Sequence, residues 1–263
     1  MSKYHSKPVN AAGIVDWSGE EDLIWRDLLT RQLSVVEDRA CSAYLEGLET
    51  LNLSVDRVPQ LPDINRVLLE KTGWRVEPVP ALINFDRFFG LLSEKKFPVA
   101  TFLRSREEFD YLQEPDFFHE VFGHCAMLTH PDFASFTHRY GQLGVNASSK
   151  ERAYLARLYW FTVEFGLVKE NGRTKIYGGG ILSSPGETVY SLESETALRN
   201  NFNVSDVLRT PYRIDIMQPV YYELSDISDL YQLSQMDLME SVHQAMALEL
   251  YPPLFEPKEV THA

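Results

Sequence analysis

The stretch Pro115-Asp116-Phe117-Phe118-His119-Glu120-Val121-Phe122-Gly123-His124 places three groups able to hold a metal or move a proton within six residues. The two imidazoles stand five positions apart, and a carboxylate follows the first. Zinc peptidases space such histidines four apart, about 40° around an α-helix, whereas a spacing of five separates them by about 140° at 3.6 residues per turn. They cannot share one face of a regular α-helix. For both rings to reach one ion, His119 must stand at a helix start or the helix must widen locally, and Gly123 would let another segment pack closely there. The spacing disfavours the peptidase reading.

A third ligand has to come from elsewhere. Tyr159-Trp160-Phe161-Thr162-Val163-Glu164-Phe165-Gly166 offers Glu164, a carboxylate inside an apolar helical run. A charge among aromatic neighbours is costly unless it is paired or bound to a metal. A salt bridge to an arginine would satisfy Glu164, but His119 and His124 favour metal ligation. Two neutral imidazoles and one carboxylate partly neutralise a divalent cation and leave coordination positions open on one side, as oxygen chemistry requires. Zinc in the same ligand set would activate water for hydrolysis, so the ligands alone do not decide the reaction. His5, His130, His138, His243 and His262 lack a paired carboxylate motif and read as ordinary capping or surface residues.

Composition narrows the field. The chain has 263 residues, 44% hydrophobic and 24% charged, which is ordinary globular usage. A formal charge of −13 with no basic run repels phosphate backbones, so no nucleic acid partner is expected. No apolar segment approaches the roughly 20 residues of a membrane span. Cys41 and Cys125, the two cysteines, do not make a disulfide framework and read as free thiols of a cytoplasmic protein.

Apolar residues Leu29, Leu33, Val36, Ala40 and Tyr44 recur at helical intervals and predict one amphipathic helix from Glu20 to about Thr50. A short helix over Asp63 to Lys71, an extended passage at Pro78 and Pro80, a helix from about Asn84 to Glu94 and a strand over Val99 to Leu103 follow. The middle reads as helices over Asp116 to about Thr129, Pro131 to about Leu143 and Lys150 to about Val168. Asn171-Gly172 predicts a hairpin turn between Leu167 to Glu170 and Thr174 to Tyr177. Tyr177 to Glu187, rich in Gly, Ser and Pro, reads as a loop. A strand near Val220 to Leu224 and a final helix carrying Leu230, Leu238, Val242, Met246 and Leu250 complete the pattern. With no repeat and no long linker, the expectation is a mainly α (α+β) fold. Residues 1–263 would form a single helical catalytic domain, with its core at about 16–250, small β elements around a metal site, and no regulatory or tetramerisation domain.

Glu114-Pro115-Asp116, His119-Glu120, Gly123-His124, Tyr159 to Gly166, Gly178 to Ser184 and Gly186-Glu187 together resemble the pterin-dependent aromatic amino acid hydroxylases. The match keeps the same order from about Thr72 to Tyr222. The resemblance implies a non-haem Fe(II) site held by His119, His124 and Glu164, a tetrahydropterin such as tetrahydrobiopterin as cosubstrate, and O2. It places Glu120 in the cavity between pterin and iron, as the candidate catalytic carboxylate. Phe88 would stack on the pterin, a reading favoured over core packing because Phe85 and Phe89 give the helix aromatic residues to spare, and Ile83 would touch it or equally be core. Arg104 matches an arginine that grips the substrate carboxylate, and Trp160, Gly180 and Ser183 match positions around the substrate. Two departures stand out: Ala81 replaces a glycine of the animal enzymes, and Leu112-Gln113 replaces a Thr-Pro pair that touches substrate.

The resemblance further implies a compact bacterial type, monomer or homodimer, that hydroxylates L-phenylalanine to L-tyrosine. One oxygen atom goes to the ring and the other to the pterin. Tryptophan and tyrosine are the alternative substrates. A zinc hydrolase and a nonenzymatic metal-stabilised regulator are the readings outside the family.

Overall fold

The computed structural model describes residues 4–112 and 114–256. Helix α1 (Gly19–Val36) starts at a capping box in which Glu21 N–H donates to Ser18 Oγ (3.2 Å) and Ser18 N–H to Glu21 Oε2 (2.7 Å). The single helix expected over Glu20 to Thr50 is two, since α2 spans Ser42–Leu51. The interruption has a partner: Ile176 N–H donates to Arg39 O and Cys41 N–H to Ile176 O, each at 2.9 Å, so the chain leaves the helix to pair with a distant strand. Leu29, Val36, Ala40 and Tyr44 are buried as the periodicity predicts, whereas Leu33 faces solvent.

Next come α3 (Leu61–Lys71), β1 (Arg75–Val79), α4 (Phe85–Ser93, capped by Asn84) and β2 (Lys96–Ala100), which pairs in parallel with β1. The strand expected at Val99 begins three residues earlier. Lys95 takes a left-handed conformation (φ 57°) that turns the chain straight out of α4 into register with Arg75.

The metal-candidate stretch resolves the spacing problem by widening. His119–Cys125 is a π-helix, continued by α5 (Ala126–Leu128). Its i→i+5 bonding makes five residues close to one turn, which brings His119 and His124 onto the same side. Val121, Phe122 and Cys125 are fully buried and fix its inner face, and Tyr44 donates its hydroxyl to Phe122 O (2.8 Å). Tyr44→Phe removes that donor from a buried carbonyl and is expected to cost about 1 kcal/mol, roughly 2–4 °C in melting temperature. Thermal denaturation with no shift would show that the hydroxyl is dispensable.

Helix α6 (Pro131–Asn146) and α7 (Ser149–Tyr159, with a Ser148–Glu151 capping box) follow, and α7 runs into a second π-helix, Trp160–Glu164. The helix expected to reach Val168 therefore ends at Glu164. Phe165 N–H closes the wide turn on Trp160 O (2.8 Å), and Gly166 opens β3 (Gly166–Glu170). The expected hairpin is present: β3 pairs antiparallel with β4 (Arg173–Ile176) through Asn171 and Gly172, both at positive φ.

The expected loop from Tyr177 to Glu187 is instead α8 (Gly179–Leu182) and the start of α9 (Pro185–Glu193). Ser184 caps α9 and Pro185 occupies its tolerated first turn, so residues that resemble loop punctuation serve here as a helix start. Strand β5 (Leu198–Asn201) and α10 (Val204–Arg209) carry no strong periodicity and escaped the sequence reading. Strand β6 (Val220–Leu224) lies where expected and completes a sheet ordered β4-β3-β6-β5. The last helix divides into α11 (Asp229–Gln235) and α12 (Leu238–Ala247), because Asp237 caps a fresh start, and Leu250 lies beyond it, exposed.

One apolar cluster runs from Val15 to Ala245 and packs α1, both π-helices, α8 and the four-stranded sheet together. The fold is helix-rich with small sheets, as expected. Among the described residues no helix is long and apolar enough to cross a membrane. Cys41 and Cys125 are free and buried, and burial pushes the Cys41 thiol up to about 12.

Candidate active site

The two π-helices aim their polar residues at one point. His119 Nε2 and His124 Nε2 are 3.2 Å apart, His124 Nε2 lies 3.4 Å from Glu164 Oε1, and His119 Nε2 lies 3.8 Å from Glu164 Oε2. Ligand atoms on one face of an ion with bonds of about 2.1 Å lie roughly 3.0–3.4 Å apart for angles from 90° to 109°, so the triangle fits a metal dication with little adjustment. Glu120 adjoins it: ligand atoms of His119, Glu120 and His124 lie within 4.8 Å of one another. The shorter histidine distances belong to Glu164, which leaves Glu120 beside the triangle.

Protonation suits metal binding. Burial pushes the His119 imidazole down to about 4, so it is neutral at pH 7. Burial alone would raise the Glu164 carboxyl, but the two imidazoles outweigh it and hold it below the usual carboxylate range. Glu120 goes the other way: burial, with Glu164 and Asp116 nearby, pushes it well up.

Ser183 fixes the His119 tautomer. Its hydroxyl donates to Gly179 O (2.8 Å) and lies 2.8 Å from His119 Nδ1, so it must accept from Nδ1–H and leave the Nε2 lone pair for a metal. The resemblance sets Ser183 near the substrate; the structure puts it behind a candidate ligand as well as in the cavity wall. Ser183→Ala is expected to weaken Fe(II) binding about 10–100-fold while leaving the fold intact. Competition with a coloured chelator reads this directly, and unchanged affinity would remove Ser183 from that role.

Close packing by α8 completes the frame. A Cβ on Gly123 would come 2.6 Å from Gly179 O, as expected of a glycine needed for close approach. A Cβ on Gly179 would overlap the His124 ring, and one on Gly180 would sit 2.9 Å from Glu164 Oε2.

His119 and Glu164 open onto a cavity of about 520 Å³ whose walls include Arg104, Trp160, Gly180 and Ser183. Arg104 is not a free fork. Its Nε and Nη2 donate to Asp116 Oδ2 and Oδ1, both at 2.9 Å, and the pair is buried, while Arg104 still lines the cavity. Burial would raise the Asp116 carboxyl, but Arg104 outweighs it and holds the carboxyl below its ordinary value. Trp160 is clamped between Phe165 and Tyr212, each 4.4 Å away, and donates Nε1–H to Gln218 Oε1 (3.0 Å), which makes it a rigid wall. Leu112 also lines the cavity, while Gln113 lies outside the described residues, as does His262.

Phe88 and Ile83 do not line this cavity. Phe88 lies edge-on to Tyr159 (5.4 Å), the residue before the second π-helix, whose hydroxyl burial and the charges of Glu164 and Glu120 push well up. Phe88 packs against the main apolar cluster. Ile83 is half-buried just before the Asn84 cap, and Ala81 sits in a small apolar cluster with Ala100 and Phe102. Three features escaped sequence reading: Asp116 as the partner of Arg104, Glu187 in the cavity wall, and the segment from Ile214 to Met217. Asp116 and Glu187 were visible as carboxylates inside the quoted blocks; Ile214 to Met217 has no periodic signal.

The sequence of the biopterin-dependent aromatic amino acid hydroxylase family matches residues 3–253. The chain belongs to that family. It is 70% identical to the phenylalanine-4-hydroxylase of Vibrio cholerae over 263 residues, all of this chain and 91% of the relative. The apo structure of the cold-active phenylalanine hydroxylase from Colwellia psychrerythraea superposes with a TM-score of 0.93 at 56% identity, covering 95% of this chain and 97% of that one. The phenylalanine hydroxylase of Chromobacterium violaceum, solved with bound oxidised Fe(III), gives 0.88 at 38% identity over 94% of this chain and 89% of that one. Family membership sets the chain apart from the zinc peptidases that the histidine pair first suggests.

Proposed function

We infer that the chain is a phenylalanine 4-monooxygenase, converting L-phenylalanine to L-tyrosine with Fe(II), a tetrahydropterin and O2. The observation that carries this reading is the His119–His124–Glu164 triangle, opening onto a cavity that Arg104 and the rigidly held Trp160 also line. Bound Fe(II), with two electrons from the tetrahydropterin, supplies the activation of O2. The protein's residues supply position and environment. His119 and His124 offer ring nitrogens, Glu164 offers the balancing charge, and Arg104, held from behind by Asp116, is assigned to the substrate carboxylate. Trp160 supports the aromatic ring, and Gly180 keeps the wall thin beside Glu164. On the other side Glu120, Phe88 and Ile83 are assigned to the pterin, with Phe88 as its stacking partner.

The same reading takes residues 1–263 as a single catalytic domain with its core at about 16–250. It has this unit act as a monomer or homodimer in the cytoplasm, without a nucleic acid partner; the charge of −13 and two buried free thiols support it. Aerobic turnover with Fe(II) and tetrahydrobiopterin tests substrate choice: kcat/KM is expected to be highest for L-phenylalanine among the three aromatic amino acids. Preference for L-tryptophan or L-tyrosine would overturn it.

A further inference from the structure

The substrate in the reading above is a zwitterion, and an enzyme that grips its carboxylate through Arg104 leaves an ammonium group to be satisfied in a partly buried cavity. Several carboxylates line that cavity, and most are committed. Glu164 belongs to the metal triangle, Asp110 is exposed and pairs with Arg31 (2.5 Å), Glu114 has a partner of its own, and Asp215 is held by both Nε and Nη2 of Arg213 at 3.0 Å. Glu187 differs. It is only 6% exposed, yet it is part of the cavity wall, one helical turn after Ser183 and Ser184.

Its two oxygens have unequal surroundings. Oε1 accepts from the Tyr221 hydroxyl and from Gln218 N–H (3.0 Å), which fixes the carboxylate plane. Gln218 in turn accepts from Trp160 Nε1, so the carboxylate is braced through the same residue that holds the ring wall. Oε2 accepts no hydrogen bond from the described residues and is not among the occluded atoms. We propose that Glu187 Oε2 is the ammonium anchor of the substrate site, opposite in charge and role to Arg104, and that it selects α-amino acids over aromatic acids lacking the amino group. Burial pushes the Glu187 carboxyl up against the pull of Tyr221 and Gln218, the position of a group whose charged form is completed by a cation from outside. No covalent step is assigned to it; Glu187 binds and orients.

This inference rests on L-phenylalanine being the substrate, and the test separates the two. Glu187→Gln keeps an oxygen for Tyr221 and Gln218 and removes only the charge facing the cavity. With the iron-loaded enzyme, KM for L-phenylalanine is expected to rise at least about tenfold with kcat within about threefold, because a charged partner is lost without disturbing the reacting end. Inhibition by 3-phenylpropanoate, which has the ring and carboxylate but no ammonium, is expected to change by less than about twofold. An unchanged KM, or equal losses for both compounds, would overturn the proposal. A second measurement needs no variant: calorimetry on the native enzyme is expected to give at least about tenfold tighter binding of L-phenylalanine than of 3-phenylpropanoate, and equal affinities would also overturn it. Failure of the native enzyme to hydroxylate L-phenylalanine would instead strike the substrate reading, while the binding ratio still reports on Glu187.

Discussion

Replacing Glu164 by glutamine is expected to abolish the rise in melting temperature that Fe(II) gives the native chain. A ligand that binds only the folded state at 100 times its Kd stabilises it by about 2.7 kcal/mol. For a chain of this size that corresponds to roughly 5–11 °C. The carboxylate brings the negative charge to the His119–His124–Glu164 triangle, and burial keeps His119 neutral. Glutamine fills the same space beside Gly180 but leaves the dication without its balancing charge. Loss of groups that merely support a ligand weakens metal sites about 10–100-fold, so loss of the charged ligand is expected to exceed that, with turnover falling in step. Calorimetric scans with and without Fe(II) measure the shift. Its survival at the same Fe(II) concentration would place the metal elsewhere.

Asp116→Ala is the substitution expected to harm stability most. Asp116 is fully buried and accepts from Arg104 N, Nε and Nη2 and from His119 N–H, all within 3.0 Å. Removing it strands a buried guanidinium and frees the start of the π-helix. Breaking a buried pair from one side costs about 3–5 kcal/mol, which is roughly 6–20 °C here. Urea denaturation measures the loss, and a change below about 1 kcal/mol would show that Arg104 finds water or another partner. The double variant Arg104→Met, Asp116→Leu is expected to recover much of the stability, because no charge is left unpaired. It should not recover L-phenylalanine binding, which separates the pair's structural part from the part proposed for Arg104 toward substrate.

Much of the site was legible because its chemistry lies in compact blocks. A spacing of five keeps His119 and His124 off one face of a regular α-helix, which called either for His119 at a helix start or for a widened helix, and the widened helix is what forms. Glu164 was legible as a charge with no business in an apolar run. Arg104 and Ser183 were found as residues but not in their full roles: the partner of Arg104 lies twelve positions away, and that of Ser183 sixty-four, on the π-helix. Only the fold brings these together. The same limit applies to the long helix expected from Glu20 to Thr50, because Ile176, which interrupts it, contributes nothing to local periodicity. Between Tyr177 and Glu187 the composition of a loop was present, but its glycines are there to admit His124 and Glu164 at close range, and Ser184 and Pro185 to begin a helix. Residues needed for close approach and residues needed for a turn are the same few types, so composition alone could not separate them.

The most direct test of the central claim, that this triangle holds an iron used for ring hydroxylation, is product analysis under ¹⁸O₂. Metal-free protein is reconstituted with Fe(II) or with Zn(II) and supplied with tetrahydrobiopterin and L-phenylalanine. The account predicts L-tyrosine carrying one ¹⁸O atom with Fe(II), none with Zn(II), and none with Fe(II) when His119 is replaced by alanine. Tyrosine formed with zinc, undiminished in the His119→Ala variant, or absent with Fe(II), pterin and oxygen all present would contradict it.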